Sequence, residues 1–265
     1  MRNIVLLAGL LMISAVGVDS KAAESGDSSE GWRSLPLIED GKIAPDWVHM
    51  GYGSFAVVDG SLRTECDEKG LGLLLYRGEK FGTCQIRVVY RAKDANSNSG
   101  VYVRIDDGIL DQIDKNHPPA RRDAEGNLTD ESLKIFMEAS EQEIGPWYAV
   151  HHGYEVQIRD KEGPFNRTGA IYSLSVSVAL PDTPPDEWRT MIITLDGNQI
   201  KVHIDGKWIT TFDPEDENVP TERQWYEPRR EPRRPEIGYI GLQNHDPGDV
   251  VYFKEVSVRP LEDAK

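Results

Sequence analysis

In the stretch His151-His152-Gly153-Tyr154-Glu155-Val156-Gln157-Ile158-Arg159-Asp160, aromatic or β-branched residues alternate with polar ones from Tyr154 to Ile158. A period of two is the pattern of a strand with one buried face. Tyr154, Val156 and Ile158 are expected to enter a core, leaving Glu155, Gln157 and Arg159 on the opposite face and Asp160 just beyond. A face solvated only for solubility usually carries Lys, Thr and Ser. An acid, an amide and a guanidinium in a row read instead as the floor of a cleft for a polar ligand. The pair His151-His152 reads as a turn feature.

The same alternation recurs on both sides. Phe55–Val58, the turn Asp59-Gly60 and Ser61–Cys66 form a hairpin signal, and Leu71–Tyr76 and Thr83–Ala92 follow as strands. Gly100–Ile105, Ile171–Val178 and Trp188–Leu195 are further candidates. Asp196-Gly197 and Asp205-Gly206 then punctuate a meander through Gln199–Ile204 and Lys207–Phe212, and Gly238–Gln243 and Val250–Val258 complete the set. Short strands with Gly-rich turns and little helical periodicity predict an all-β jelly-roll β-sandwich of two antiparallel sheets. One short helix is expected in an insert between Asp107 and Trp147, capped by Thr129 or Asp130 and running to about Glu141. This insert and the Pro- and Arg-rich segment Asp213–Glu236 are too long to be plain connections, and walls over a binding face are the expectation.

The 265 residues carry a net charge of −15. That balance argues against nucleic acid or an anionic membrane surface as partner and leaves carbohydrate, peptide or cation open. Residues 1–22 read as a signal peptide: Arg2, an apolar run from Ile4 to Val18, then Ser20-Lys21-Ala22. Residues 23–30 read as a polar linker and 31–262 as the domain. No membrane span is expected, and the chain is expected to be exported to the periplasm or beyond. Cys66 and Cys84 could form a disulfide in such a compartment or remain thiols.

Alternation also aligns polar residues of separate strands. Beside Val101, Val103 and Ile105, the residues Tyr102 and Arg104 are expected on the outer face; beside Ile240 and Leu242, so are Gln243 and His245. Arg104, Glu155, Gln157, Gln243 and His245 would then share one concave surface, with Tyr102 and Tyr172 placed to stack on a sugar ring. An ordinary sheet face with cross-strand Arg–Glu pairing is the plainer alternative.

Six runs, in order, resemble one family: Asn98-Ser99-Gly100-Val101-Tyr102-Val103-Arg104; Gly153 to Asp160; Thr168-Gly169-Ala170-Ile171-Tyr172; Glu187-Trp188; His203-Ile204-Asp205-Gly206-Lys207; and Ile240-Gly241-Leu242-Gln243-Asn244-His245. They are similar to the 3-keto-disaccharide hydrolase domain. The resemblance implies a concanavalin A-like fold and cleavage of glycosides already oxidised at C3, either as hydrolysis or as elimination and hydration. On such a substrate one carboxylate base suffices for the acidified C2 proton. Glu155 suits the base, Arg104 (or a bound divalent metal) the oxyanion, and His245 or Tyr172 the acid, with Gln157, Asp160, Tyr102, Tyr172 and Gln243 binding substrate. No cofactor is required. A divalent metal is conceivable from Glu155, Asp160 and His245.

Two other readings stay open at this point. One is a non-catalytic carbohydrate-binding module. The other is a retaining β-glucan hydrolase, whose strand would read Glu-x-Asp-x-(x)-Glu; here Glu155, Gln157 and Asp160 lack the middle Asp and shorten the second acid.

Overall fold

The computed structural model describes residues 31–66, 70–231 and 233–261. The expected leader and linker, residues 1–30, lie outside them. The chain opens with the short strands β1 (Arg33–Ser34), β2 (Ile38–Glu39) and β3 (Lys42–Ile43). It continues through β4 (Trp47–Gly51), β5 (Ser54–Val58), β6 (Ser61–Glu65), β7 (Gly72–Phe81), β8 (Cys84–Ala92) and β9 (Ser99–Ile105). Helices α1 (Asp130–Glu141) and α2 (Pro146–His152) come next, then β10 (Tyr154–Ile158), β11 (Arg189–Asp196), β12 (Gln199–Ile204) and β13 (Lys207–Phe212). Strands β14 (Gly238–Asn244) and β15 (Val251–Pro260) close the domain.

Two antiparallel sheets stack. One runs β13-β12-β11-β8-β15-β6-β5, with β1 on β15; the other runs β10-β9-β14-β7-β4. The turns Asp59-Gly60 and Asp205-Gly206 hold positive φ at both residues, the hairpin geometry whose twist matches the flanking strands. Period two delivers Ile86, Val88, Tyr90, Met191, Ile193 and Leu195 from one sheet against Val101, Val103, Tyr154, Val156, Ile158, Ile240 and Leu242 of the other. Each such aliphatic side chain contributes about 1.5–3 kcal/mol by leaving water.

The five-stranded sheet is buried on its second face as well. Leu73, Leu75, Tyr102 and Ile105 pack there against Ala139 of α1 and Trp147, Ala149 and Val150 of α2. The sandwich and the α1 insert are therefore as read from sequence, with Thr129 Oγ1 accepting from the Ser132 amide as the cap. Helix α2 is an addition: it contains His151 and His152, which form its C-terminal end and not a turn. Seven residues with one Pro give too little periodicity to announce it.

Two other expectations change, and the open alternative at the cysteines is decided. Ile171–Val178 is not a strand; Ser173 sits at φ 56°, Leu174 and Ser175 fold back onto the Ile171 carbonyl, and only isolated bridges form there. The segment instead seals the outer edge of β10: Gln157 N–H donates to Ala170 O, Gly169 N–H to Gln157 O and Tyr172 N–H to Glu155 O. Cys84 is a buried thiol on β8, and no disulfide joins it to Cys66. Finally, Arg104 leaves the face assigned to it, for reasons given below. Among the described residues, no helix is long and apolar enough to cross a membrane.

Candidate active site

Three neighbouring strands build the floor. Glu155 pairs with Tyr102 and Gln157 with Gly100 across β10 and β9, while Tyr102 pairs with Gly241 across β9 and β14. Side chains two apart on a strand share a face, so Tyr102, Glu155, Gln157 and Gln243 project together. Asn98, Arg159 and His245 extend the same rows one step beyond the strand ends. All seven line one cleft with a volume of about 390 Å³, within the roughly 300–1,000 Å³ usual for small-ligand sites. Facing this polar floor is an aromatic and apolar wall. Leu128, Phe136 and Trp147 supply it from the first insert, and Trp225 and Tyr226 from the 213–236 segment. The long connections are walls.

Those walls bury the floor. Tyr102 is 2 % exposed, Glu155 8 %, and Gln157 and Gln243 3 % each. Tyr102 Oη donates to Glu155 Oε2 at 2.8 Å, and Gln243 Nε2 donates to Tyr102 Oη at 3.3 Å. Glu155 Oε1 makes no hydrogen bond although it is buried. Burial pushes the Glu155 carboxyl up to about 7, against the opposing pull of the Tyr102 hydrogen bond, the nearby His245 and Gln243. Gln157 Oε1 accepts from the Ile158 amide at 2.9 Å, which leaves its NH₂ for a ligand. Gly100 leaves the room that this network occupies, because the Glu155 side chain lies across it. A Cβ there would stand 2.6 Å from Glu155 Cγ and 2.8 Å from Cδ.

Of the residues expected at the site, Glu155, Gln157, Gln243, His245 and Tyr172 line the cleft. Tyr102 does too, but as a hydrogen-bond partner beneath Glu155 and not as a stacking platform, since its ring is buried. Burial also pushes the Tyr172 hydroxyl above the ordinary tyrosine range, with the Glu155 charge adding to the effect, so this phenol keeps its proton.

Arg104 is absent from the cleft. It adopts φ 56°, the β14–β9 register shifts beside it, and Gly238 passes too close for any Cβ. This bulge turns the guanidinium through the sandwich to the Gly197 carbonyl and puts Ile105 on the face with Tyr102. Asp160 is absent as well. Its Oδ1 accepts from Arg189 Nη1 at 2.9 Å and Thr168 Oγ1 at 2.6 Å, and its Oδ2 from Arg189 Nη2 at 2.7 Å. Its oxygens are thus engaged by Arg189 and Thr168, and it is not among the residues that line the cleft with Glu155 and His245. Among the described residues, the guanidinium that reaches the cleft is that of Arg159, whose Nη1 is 3.2 Å from Glu162 Oε1. Strand alternation had already put Arg159 on the right face, and that signal was sufficient to select it.

Residues 26–259 match the family described as the 3-keto-alpha-glucoside-1,2-lyase-like domain. The chain belongs to that family. Solved structures similar to this member of the 3-keto-alpha-glucoside-1,2-lyase-like family include two candidate glycosyl hydrolases from Parabacteroides distasonis ATCC 8503. One is 20 % identical, with 87 % of this chain and 99 % of that chain covered at a TM-score of 0.52. The other is 16 % identical, covering 88 % and 95 %, with a TM-score of 0.55. A Bacillus subtilis protein of unknown function with a galectin-like fold is 15 % identical over 86 % of this chain and 97 % of its own, TM-score 0.52. At these identities the likeness establishes the concanavalin- and galectin-like β fold of the family member. Comparison with curated proteins gives no match.

Proposed function

We propose that this protein is an exported enzyme that cleaves 3-keto-glycosides by elimination and hydration, with Glu155 as the base. The observation that carries the reading is the state of Glu155: buried, pushed up to about 7, and holding one oxygen without a partner on the floor of the cleft. A carboxylate of that basicity is matched to proton transfer near neutral pH. The leader pattern in residues 1–22 supports export.

The substrate ketone acidifies the hydrogen on C2. Glu155 takes that proton, and the C–H electron pair becomes the enediolate delocalised onto the ketone oxygen. Arg159 and the free amide of Gln157 are the donors on the floor for this charge. Collapse of the enediolate forms C1=C2, restores the ketone and breaks the C1–O bond. The departing oxygen takes the proton of Tyr172, whose backbone is tied to Glu155 O at 2.9 Å. An alkoxide is a stronger base than even a buried tyrosinate, so this transfer runs downhill. Water then adds across C1=C2: hydroxide to C1, the Glu155 proton back to C2, and the remaining water proton to Tyr172. The net reaction is hydrolysis.

A retaining displacement would need a second carboxylate on the strand, and Asp160 is held by Arg189. Incubating the protein with a 3-keto-glucoside in heavy water tests the proposal by NMR of the released sugar. Deuterium at C2 is the expected result. Release without deuterium would point to direct displacement, and binding without release to a carbohydrate-binding module; either would overturn it.

A further inference from the structure

Beyond the Glu155 row, the cleft ends at the turn from β14 to β15. His245, Asp246 and Asp249 each offer a ligand atom there, and the three atoms lie within 4.8 Å of one another. Asp249 Oδ2 is 3.3 Å and Asp246 Oδ2 3.7 Å from His245 Nδ1. That nitrogen is buried but makes no hydrogen bond, so the group is not a plain histidine–aspartate pair. Arg122 Nη2 lies 3.9 Å from Asp246 Oδ2, on the side of the group toward the first insert's loop residues.

A second observation points to a ligand at the same place. Asn98, 8 % exposed, donates its backbone N–H to Asp249 Oδ1 at 3.1 Å, while its own side-chain Oδ1 is buried without a partner. Gln243 Oε1, one strand residue short of the turn, is in the same condition. Asn98, Gln243, His245 and Asp246 line one end of the cleft. Buried acceptors without donors are costly, and a cation satisfies several of them together.

We propose that His245 Nδ1 and one carboxylate oxygen each from Asp246 and Asp249 bind a divalent transition-metal ion such as Mn²⁺ or Zn²⁺. An imidazole with two carboxylates favours such ions over Ca²⁺ or Mg²⁺, which take oxygen ligands. Three protein ligands leave further coordination positions facing the cleft, open to water or to sugar oxygens. Any use of the ion at the ketone rests on the keto-glycoside reading; binding itself does not.

The test therefore measures binding. The full chain is stripped with a chelator, dialysed and titrated with MnCl₂, following free Mn²⁺ by electron paramagnetic resonance and thermal unfolding in parallel. One Mn²⁺ per chain is expected, with a rise in melting temperature of roughly 5 °C at a hundredfold excess over Kd. Asp246→Asn and His245→Gln should each weaken binding at least tenfold, while metal-free melting temperatures near the parent value show that both variants fold. Absence of Mn²⁺ and Zn²⁺ binding by the stripped protein would overturn the proposal, and so would unchanged affinity in both variants. Failure of the heavy-water experiment would leave this result standing.

Discussion

Gly100 and Glu155 share one space: the carboxylate arm of Glu155 lies over the Cα of Gly100, which faces Gln157 across the β9–β10 pair. The absent side chain at Gly100 is what permits the Glu155 carboxyl to lean to the middle of the floor. Gly100→Ala inserts a methyl 2.6 Å from Glu155 Cγ and displaces the base, because the sheet backbone on either side cannot retreat. A displacement of about 1 Å costs on the order of 10²-fold in rate. The expected outcome is a fall of that size in kcat/KM on a 3-keto-glucoside, with the circular dichroism spectrum unchanged. Parent-like activity would show that the position of Glu155 does not matter.

Glu155 links catalysis to stability. With a native pKa of about 7 against 4.5 for an ordinary glutamate, the folded state holds a proton that the unfolded state has released between those values. Stability from this group is complete below 4.5 and is lost as pH rises through 7. Glu155→Gln keeps an acceptor for Tyr102 and removes that loss. The variant should be inactive, should match the parent in stability at pH 4.5, and should exceed it by roughly 3 kcal/mol at pH 8.5. Denaturant melts at the two pH values measure this. In the parent, turnover should rise with pH through about 7 as the base ionises; a rate independent of pH between 5.5 and 8.5 would remove Glu155 as base.

Strand alternation made most of this floor legible, because a side-chain period of two is a property of the backbone and survives whatever packs above it. Tyr102, Glu155, Gln157, Gln243 and His245 share a face for that reason. The same rule failed at Arg104, where one residue at φ 56° shifts the register and sends the guanidinium across the sandwich to Gly197. Nothing in Val103-Arg104-Ile105 marks a bulge; the close approach it makes is admitted by Gly238 on the neighbouring strand, in contact only after folding. The walls over the floor were expected from the two long connections, but the depth of its burial was not legible, since α2, which packs on the same face, gives too little helical periodicity. Asp160 was misread because its partner, Arg189, lies far along the chain on the opposite sheet.

Asp160 and Arg189 form a buried, two-bond ion pair: the Arg189 side chain is 1 % exposed, and its Nη1 and Nη2 donate to the two Asp160 oxygens. Removing one partner leaves the other charge buried, which costs about 3–5 kcal/mol. Asp160→Asn should therefore lower the denaturation midpoint sharply, while its kcat, measured well below the melting temperature, stays close to the parent's. A large loss of kcat in correctly folded protein would return Asp160 to the site.

His151 secures the wall that carries Trp225. Its Nδ1 accepts from the Arg229 amide at 3.2 Å and its Nε2 lies 3.1 Å from the Ser140 carbonyl, while Ser140 Oγ donates to the Trp225 carbonyl at 2.8 Å. This arrangement needs the neutral ring. Burial, with the charges of Arg223 and Arg229, pushes the His151 pKa down to about 4 from 6.5. Unfolded chains bind the proton first, so the stabilisation is complete above 6.5 and is lost as pH falls toward 4. The parent should lose roughly 3 kcal/mol over that interval relative to His151→Gln, whose amide reproduces neither protonation step. Protonation also removes the acceptor for Arg229, so Trp225 should separate from Trp147, now 5.8 Å away between ring centroids. Tryptophan emission recorded from pH 7 to 4 should change in the parent and stay flat in the variant. Parallel curves for the two proteins would mean that the wall is held by its apolar packing alone.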